Sequence, residues 1–443
     1  MIPPGPKTPP LFQLFKWMLD PLPFLEASAR QFGDVFTVHF PGIGKAVMLR
    51  SPEHIKQVFT GDPEVLQAGQ ANQIFAPLLG RSSVLLLDGN PHLRQRRLLL
   101  PSFHGERMQA YAALMRRITE QAIARWPAAK PFALHPFMQG ITMDIIVRAV
   151  FGAEEGAGLE KLKALLVSIL DITQTPLAFL TPLQRDFPFS PFRIFLRRKA
   201  RMDEMIYALI AERRRSHESH PGEARQDILS MMLAARDEDG RPMTDTELRD
   251  ELVTLLVAGH ETTATSLSWT FERILAEPRV ARKLDDELHS VIGEGRPIEA
   301  EHVPKLEYLD AVIKETLRLR PILPITVRKL AADYPIAGYT IPKGWLLAPC
   351  IYLAQRRPET WPNPERFEPE RFVGAKVDPY AWLPFGGGLR RCLGMAFALY
   401  EMKIVTATVL SRARMRLDAG RALKVVRRGI TLAPAGGTRV IMG

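Results

Sequence analysis

The stretch from Thr244 to Glu277 constrains the fold more than any other part of this chain. Thr244 and Glu247 form a capping box, the reciprocal pairing of side chains and backbone amides that opens a helix. No proline interrupts the run until Pro278, and the residue before a proline is pushed out of helical geometry. A helix of that length crosses a whole domain. The remaining chain must therefore pack around it.

A second helix is expected over roughly Val303 to Arg320, stopped by Pro321, and a third should start at or near Cys392. Val35 to Phe40, the turn Pro41-Gly42-Ile43-Gly44 and Ala46 to Leu49 read as a β-hairpin, since β-branched and aromatic residues flank a Gly/Pro turn. Ser51-Pro52-Glu53 then opens another helix. Short extended pieces are expected over Ile325 to Ala331, Ile336 to Ile341 and Trp345 to Ile351, with Pro-rich irregular stretches over Thr175 to Pro191 and Pro358 to Pro384. The fold class is mainly α with minor β. No Ser/Gly run, charged tract or fixed-period repeat marks a linker, so residues 1–443 are expected to form one domain.

With 46% hydrophobic and 24% charged residues, the 443-residue chain has globular composition and can bury a large core. Lys and Arg number 59 against 48 Asp and Glu, a formal charge of +11 that favours an acidic partner. Its basic clusters lack the interleaved aromatics of a base-stacking surface, which argues against nucleic acid. Two cysteines, Cys350 and Cys392, cannot organise a disulfide framework, and a reducing cytoplasm fits them. The apolar stretch Leu11 to Leu19 is broken by Gln13 and Lys16 and is far shorter than a membrane span, so neither anchor nor secretory signal is expected.

Chemistry concentrates around Cys392. Phe385-Gly386-Gly387-Gly388-Leu389-Arg390-Arg391-Cys392-Leu393-Gly394 sets a cysteine after a glycine-rich loop and at the start of an apolar helix. Helix N-terminal amides and nearby arginines stabilise a thiolate and should lower its pKa. Glycines let backbone approach a flat cofactor, and Arg390 could pair with a carboxylate of it. Zinc does not fit, because no further Cys or His lies at ligand spacing. Cys350 sits in an apolar run and reads as core.

In the long helix, Leu255, Ala258, Gly259 and Thr262 share one face, where small residues leave room for a ligand and Thr262 offers a hydroxyl. Glu261 is an acid inside an otherwise apolar stretch, which is costly unless used. Glu315 and Arg318 share a helix face at i, i+3 and could form a surface pair of little energetic value. His92 and Arg96 are four apart after Pro91 and could reach one anionic group.

Together these segments resemble the cytochrome P450 family, soluble bacterial type, over essentially the whole chain. Phe385, Gly388, Arg390, Cys392 and Gly394 match its haem-binding signature. The resemblance implies haem b (iron protoporphyrin IX) held by Cys392, with His92, Arg96, Arg328 and Arg390 on the haem propionates and Ala258 beside the iron. It implies that Glu261 and Thr262 relay protons to bound dioxygen, with no role for His260. It makes Glu315 and Arg318 a buried pair whose third member is Arg371, with Arg366 as the alternative. The implied activity is a monooxygenase that hydroxylates a small apolar substrate such as a fatty acid or terpenoid. Rivals are a peroxide-driven peroxygenase, a rearrangement catalyst and a haem-binding sensor, and retention of Glu261 and Thr262 argues against all three.

The family's pocket segments place Ile74, Leu255, Ile322, Ile325 and Ile430 against the substrate, with Gln70, Asn72 and Gln73 available to orient a polar end. The chain ends without a flavin or iron-sulfur segment, so an acidic ferredoxin or flavodoxin with its reductase is the expected electron donor. Arg94 and Arg97, on one helix face, and Arg391 are the expected docking residues. A monomer is expected.

Overall fold

The computed structural model describes residues 2–103, 107–152, 157–173, 186, 190–219, 227–418 and 424–443. The expected Pro-rich stretch 175–191 lies outside these, apart from Asp186, Ser190 and Pro191. The long helix runs Asp245–Ala276 and is capped as its sequence demands: Thr244 Oγ1 accepts from the Glu247 amide while the Glu247 carboxylate accepts from the Thr244 amide. A cap of this kind is worth about 1 kcal/mol.

Burial, more than propensity, holds this central helix in place. Leu248, Leu252, Leu256, Leu267 and Phe271 are fully buried in the largest apolar cluster. Its C-terminal half also buries a run of hydroxyls, which would be costly without partners. Ser266, Ser268 and Thr270 each donate to the carbonyl four residues back, at 2.8–2.9 Å. Trp269 Nε1 donates to the Leu432 carbonyl at 3.0 Å, tying the helix to a C-terminal hairpin.

Helix His135–Phe151 packs along the central helix, and Gly259 sits at the contact: a Cβ there would lie 3.2 Å from Ile146. Gly259 therefore serves close helix packing, whereas the sequence suggested room for a ligand. Helix Glu307–Leu319 also packs on the central helix. It begins later than the expected Val303, because Val303–Lys305 is a single 3-10 turn and Leu306 leaves helical geometry before the α-helix starts. Helix Met395–Arg412 completes this layer.

Five strands form the main sheet, in the order Val35–Phe40, Gly44–Leu49, Leu346–Pro349, Arg328–Leu330, Leu66–Gln67. The pair Gly44–Leu49 and Leu346–Pro349 is parallel and the others are antiparallel. The N-terminal hairpin forms as its sequence suggests, with Val35 opposite Leu49. The segment Ile336 to Ile341 is not one strand. Ala337 and Gly338 both take positive φ and fold Tyr334–Ile336 back on Tyr339–Ile341. A hairpin of Val425–Arg428 and Thr431–Pro434 meets the central helix through the Trp269 bond. Among the described residues no helix is long and apolar enough to cross a membrane.

Three consecutive ionisable side chains of the central helix, Arg249, Asp250 and Glu251, are buried and bind the backbone of residues 78–84. Arg249 donates to the Leu78 and Leu79 carbonyls, Asp250 accepts from the Ser82 amide at 2.8 Å, and Glu251 accepts from the Val84 amide at 2.7 Å. Arg249 also pairs with Asp203 of helix Pro191–Ser219. The latch thus fixes the chain that leads into helix Gly89–Leu99, where two candidate anion ligands sit.

Candidate active site

The glycine-rich loop before Cys392 is shaped by contact with helix Pro52–Thr60. Gly388 has φ of 61°, and a Cβ on it would lie 2.0 Å from the Phe59 carbonyl oxygen, so no other residue fits there. A Cβ on Gly387 would meet the Phe59 ring at 2.5 Å. The Cys392 amide closes the loop by donating to the Phe385 carbonyl at 2.9 Å, and the partly buried Phe385 ring packs on Trp382. Cys392 lies outside the α-helix, which starts at Met395 after Gly394.

Cys392 has accessible surface, yet it lies deep in the fold, so that surface belongs to an internal space. The electrostatics correct one expectation. Burial pushes the Cys392 thiol above its usual pKa, and the Gly394 amide, Arg96 and Arg391 oppose this only in part. Desolvation outweighs the arginines; a coordinated metal ion is what deprotonates such a thiol outright. Cys350 is fully buried and its thiol is pushed up to about 12 by burial, in keeping with a core residue.

Beside Cys392 converge four basic side chains from three parts of the chain. His92 and Arg96 come from helix Gly89–Leu99, Arg328 from the main sheet and Arg390 from the loop. Burial, then the fields of Arg390, Arg96 and Arg328, hold His92 neutral with a pKa of about 3. Burial and the neighbouring Arg390 bring Arg328 down to about 10. Arg390 also falls to about 10 through burial, although Asp88 pairs with it at 2.6 Å. Arg390 further donates to the Val84 and Leu87 carbonyls, so its guanidinium already has protein acceptors. Among the described residues Asp88 is the one carboxylate paired with these three arginines. Two guanidinium charges remain uncompensated in a desolvated site. That is the complement of a dianion with an apolar body, and haem b with its two propionates fits it.

Along the central helix, Leu255, Ala258, Gly259 and Thr262 keep accessible surface, as do Val257 and Glu261, while Leu256, His260 and Thr263 are buried. The Thr262 hydroxyl donates back to the Ala258 carbonyl at 2.6 Å. Glu261 turns toward helix His135–Phe151, where Gln139 Nε2 donates to its carboxylate at 2.7 Å and His135 Nε2 lies 3.5 Å away. Its pKa falls below the usual carboxylate value: burial pushes it up, but the bonds to His135 and Gln139 and the charge of Arg428 outweigh that. Nothing in the sequence marked His135, Gln139 or Arg428, because they lie more than a hundred residues from Glu261 and form no local motif.

Glu315 and Arg318 are fully buried and joined by two bonds of 2.7 and 2.8 Å, so the surface reading fails. Arg371 lies 3.5 Å from Glu315, while Arg366 contributes its carbonyl oxygen to Arg318. Arg318 also caps the Gln355 and Pro364 carbonyls, which locks the Pro-rich stretch onto helix Glu307–Leu319.

The proposed pocket residues sit in different surroundings. Ile322 is buried, and its carbonyl accepts from the Leu432 amide at 2.8 Å, beside the hairpin that carries Ile430. Ile74 and Ile430 are exposed. Ile325 packs instead in the apolar cluster under the N-terminal sheet, with Trp17 and Phe36. Asn72 and Gln73 donate amide hydrogens to backbone carbonyls, which leaves their side-chain oxygens as the acceptors for a polar end group; Gln70 is exposed. Arg94 is bound to Asp237 and Glu247, which take up its charge, whereas Arg97 and Glu238 form an exposed pair that leaves Arg97 at the surface.

The profile described as cytochrome P450 matches residues 3–438. A Mycobacterium tuberculosis protein named cytochrome P450 135B1 is 40% identical over 99% of this chain and 91% of its own length. Another from the same organism, named cytochrome P450 138, is 35% identical over 100% of this chain and 96% of its own. Of solved structures, retinoic acid bound cyanobacterial CYP120A1 superposes with a TM-score of 0.86 at 27% identity, covering 100% of this chain and 99% of that one. The haem domain of cytochrome P450DA has the same score at 24% identity and attests the fold alone. With a thiol and a dianion site set side by side in a fold shared over its full length, this chain belongs to the cytochrome P450 family of haem-thiolate monooxygenases.

Proposed function

We propose that Cys392 is the thiolate ligand of haem b in this monooxygenase, and that the enzyme hydroxylates an apolar molecule of fatty-acid or terpenoid type at an unactivated carbon. The observation that carries the reading is the accessible Cys392 thiol beside a buried cluster with two uncompensated guanidiniums. Arg96 and Arg328 would hold the propionates, with neutral His92 as a further hydrogen-bonding group. Arg390, already paired with Asp88, would chiefly brace the loop. Bound haem supplies the oxygen-activating chemistry.

The chain's own task is to orient substrate and to meter protons. Thr262 offers a hydroxyl on the open face of the central helix, and Glu261 holds an ionised carboxylate behind it. The substrate class rests on apolar walls, since Leu255, Ala258 and Ile322 carry no charge and reject strongly hydrated ligands. Retinoic acid in the cyanobacterial relative is a ligand of this kind, a long apolar body with one polar end. Electrons would come from an acidic ferredoxin or flavodoxin with its reductase, drawn by the +11 charge.

The reduced carbon monoxide complex should show the red-shifted Soret band of thiolate-ligated haem, and Cys392→Ser should lose it. A histidine-type spectrum in the parent protein overturns the ligand assignment. Low-to-high-spin titration should succeed with long-chain or polycyclic apolar compounds and fail with sugars, nucleotides and free amino acids; the reverse result overturns the substrate class.

A further inference from the structure

The sequence motif ends at Glu261 and Thr262, but the structure continues it. His135, the first residue of helix His135–Phe151, is buried with both ring nitrogens engaged. An Arg428 guanidinium nitrogen lies 3.0 Å from Nδ1. Arginine can only donate, so Nδ1 must be the accepting nitrogen and the ring proton sits on Nε2. That Nε2–H points at Glu261 Oε1, 3.5 Å away, and at the Thr265 hydroxyl, 3.2 Å away, which itself lies 3.4 Å from the same carboxylate oxygen.

The backbone fixes the imidazole as firmly as the side chains do. Its amide donates to the Gly437 carbonyl at 3.0 Å, and the Leu134 amide donates to the Thr438 carbonyl at 3.0 Å. A Cβ on Gly437 would come within 3.1 Å of the His135 Cβ, so the C-terminal segment is seated directly on this residue. Arg428 comes from the hairpin whose Leu432 is tied to Trp269. Such a string of donors, crossing three elements to reach one carboxylate, is more than a core histidine needs.

We propose that His135, its tautomer fixed by Arg428, is a positioning residue that keeps the Glu261 carboxylate anchored and ionised against the neighbouring helix. The inference rests on the reading of Glu261 as a proton-supplying group. Glu261 would otherwise be driven toward its neutral form by burial, and the hydrogen bond from His135 is the largest of the opposing effects. The other groups facing this cluster are Gln139 and Thr265, which donate to Glu261, and His260, which is buried and neutral. Asp171 adds a weak field at His260. None of these replaces the Nε2–H. His135 would thereby determine the pH range over which Glu261 can cycle between ionised and protonated states.

The test uses the holoenzyme as its reduced carbon monoxide complex, which is diamagnetic. In His135→Leu, an infrared band of a protonated carboxylic acid should appear at neutral pH, where the parent has none, and should vanish when Glu261→Gln is added. The midpoint of that band should lie at least about one pH unit above the parent's. His135→Gln supplies an amide N–H without a titrating ring and should return the midpoint toward the parent's. The pH profile of product formed per reductant consumed should move in the same direction as the band. In the parent, nitrogen-15 spectra should show His135 as the Nε2–H tautomer at neutral pH, a measurement that needs no variant to fold. The proposal is overturned by an imidazolium in the parent, by no Glu261-dependent band in His135→Leu between about pH 5 and 8, or by equal shifts in the Leu and Gln variants. If Glu261→Gln alone leaves product per reductant unchanged, the proton-supply reading of Glu261 fails, while the infrared result still decides whether His135 controls its ionisation.

Discussion

His260 illustrates how neighbours in sequence can differ in chemistry. Glu261 is ionised because donors reach it, whereas His260, one residue earlier, has an Nδ1 without a partner among the described residues and is held neutral by burial, with a pKa of about 4. The linkage has a definite sign. An unfolded histidine takes a proton at about pH 6.5, so below that pH the unfolded chain binds a proton that the folded one refuses. The contribution of His260 to stability is therefore complete above that pH and is lost as pH falls toward about 4. His260→Gln should make the fall in melting temperature between these two pH values shallower. Parallel melting curves for variant and parent would show that His260 is not the buried group involved.

Between elements, the Arg249, Asp250 and Glu251 latch separates two kinds of buried acid. Burial pushes Glu251 upward from the usual carboxylate range, which favours its neutral form, and Glu251→Gln keeps its shape without a charge. That variant should stay within about 1 kcal/mol of the parent. Asp250 instead accepts from the Ser82 amide and pairs with Arg249 at 2.8 Å. Asp250→Asn leaves the buried Arg249 guanidinium with Asp203 as its one carboxylate and should cost about 1 to 3 kcal/mol. Hydrogen exchange should quicken over residues 80–84 in Asp250→Asn and stay slow in Glu251→Gln. Equal exchange in the two would mean that the charge is not what holds the segment.

At the scale of the whole molecule, the +11 charge already counts every carboxylate, so ion pairs leave it unchanged and decide only where the excess lies. Arg94, Arg97, Arg213 and Arg249 all point into ion pairs of the fold itself. Arg391 remains exposed beside Cys392, with the exposed Leu389 next to it. Charge reversal at Arg391 should slow reduction by an acidic ferredoxin several-fold at low salt and flatten its salt dependence. Reversal at Arg97, an exposed residue of helix Gly89–Leu99, should have a smaller effect on both if docking centres on Arg391. Stopped-flow reduction across a salt series distinguishes the two variants, and an effect at Arg97 equal to that at Arg391 would place the docking surface elsewhere.

Local grammar in the sequence determined a good deal. The capping box at Thr244, the glycine loop before Cys392 and the β-branched and aromatic run Val35–Phe40 before its Gly/Pro turn each follow from short-range sterics and hydrogen bonding, and each is present in the fold. The boundary at Leu306 and the turn at Ala337-Gly338 were missed because neighbouring backbone geometry, with no strong breaker residue at Leu306, decided them. What only the tertiary structure could decide was the company each charge keeps. Spacing could not tell whether Glu315 and Arg318 meet water or each other, or that Arg94 is taken up by Asp237. Nor could it pair His135 with Glu261 across two helices. Desolvation and partner geometry fix the state of an ionisable group, and both are set by chain segments far away in sequence.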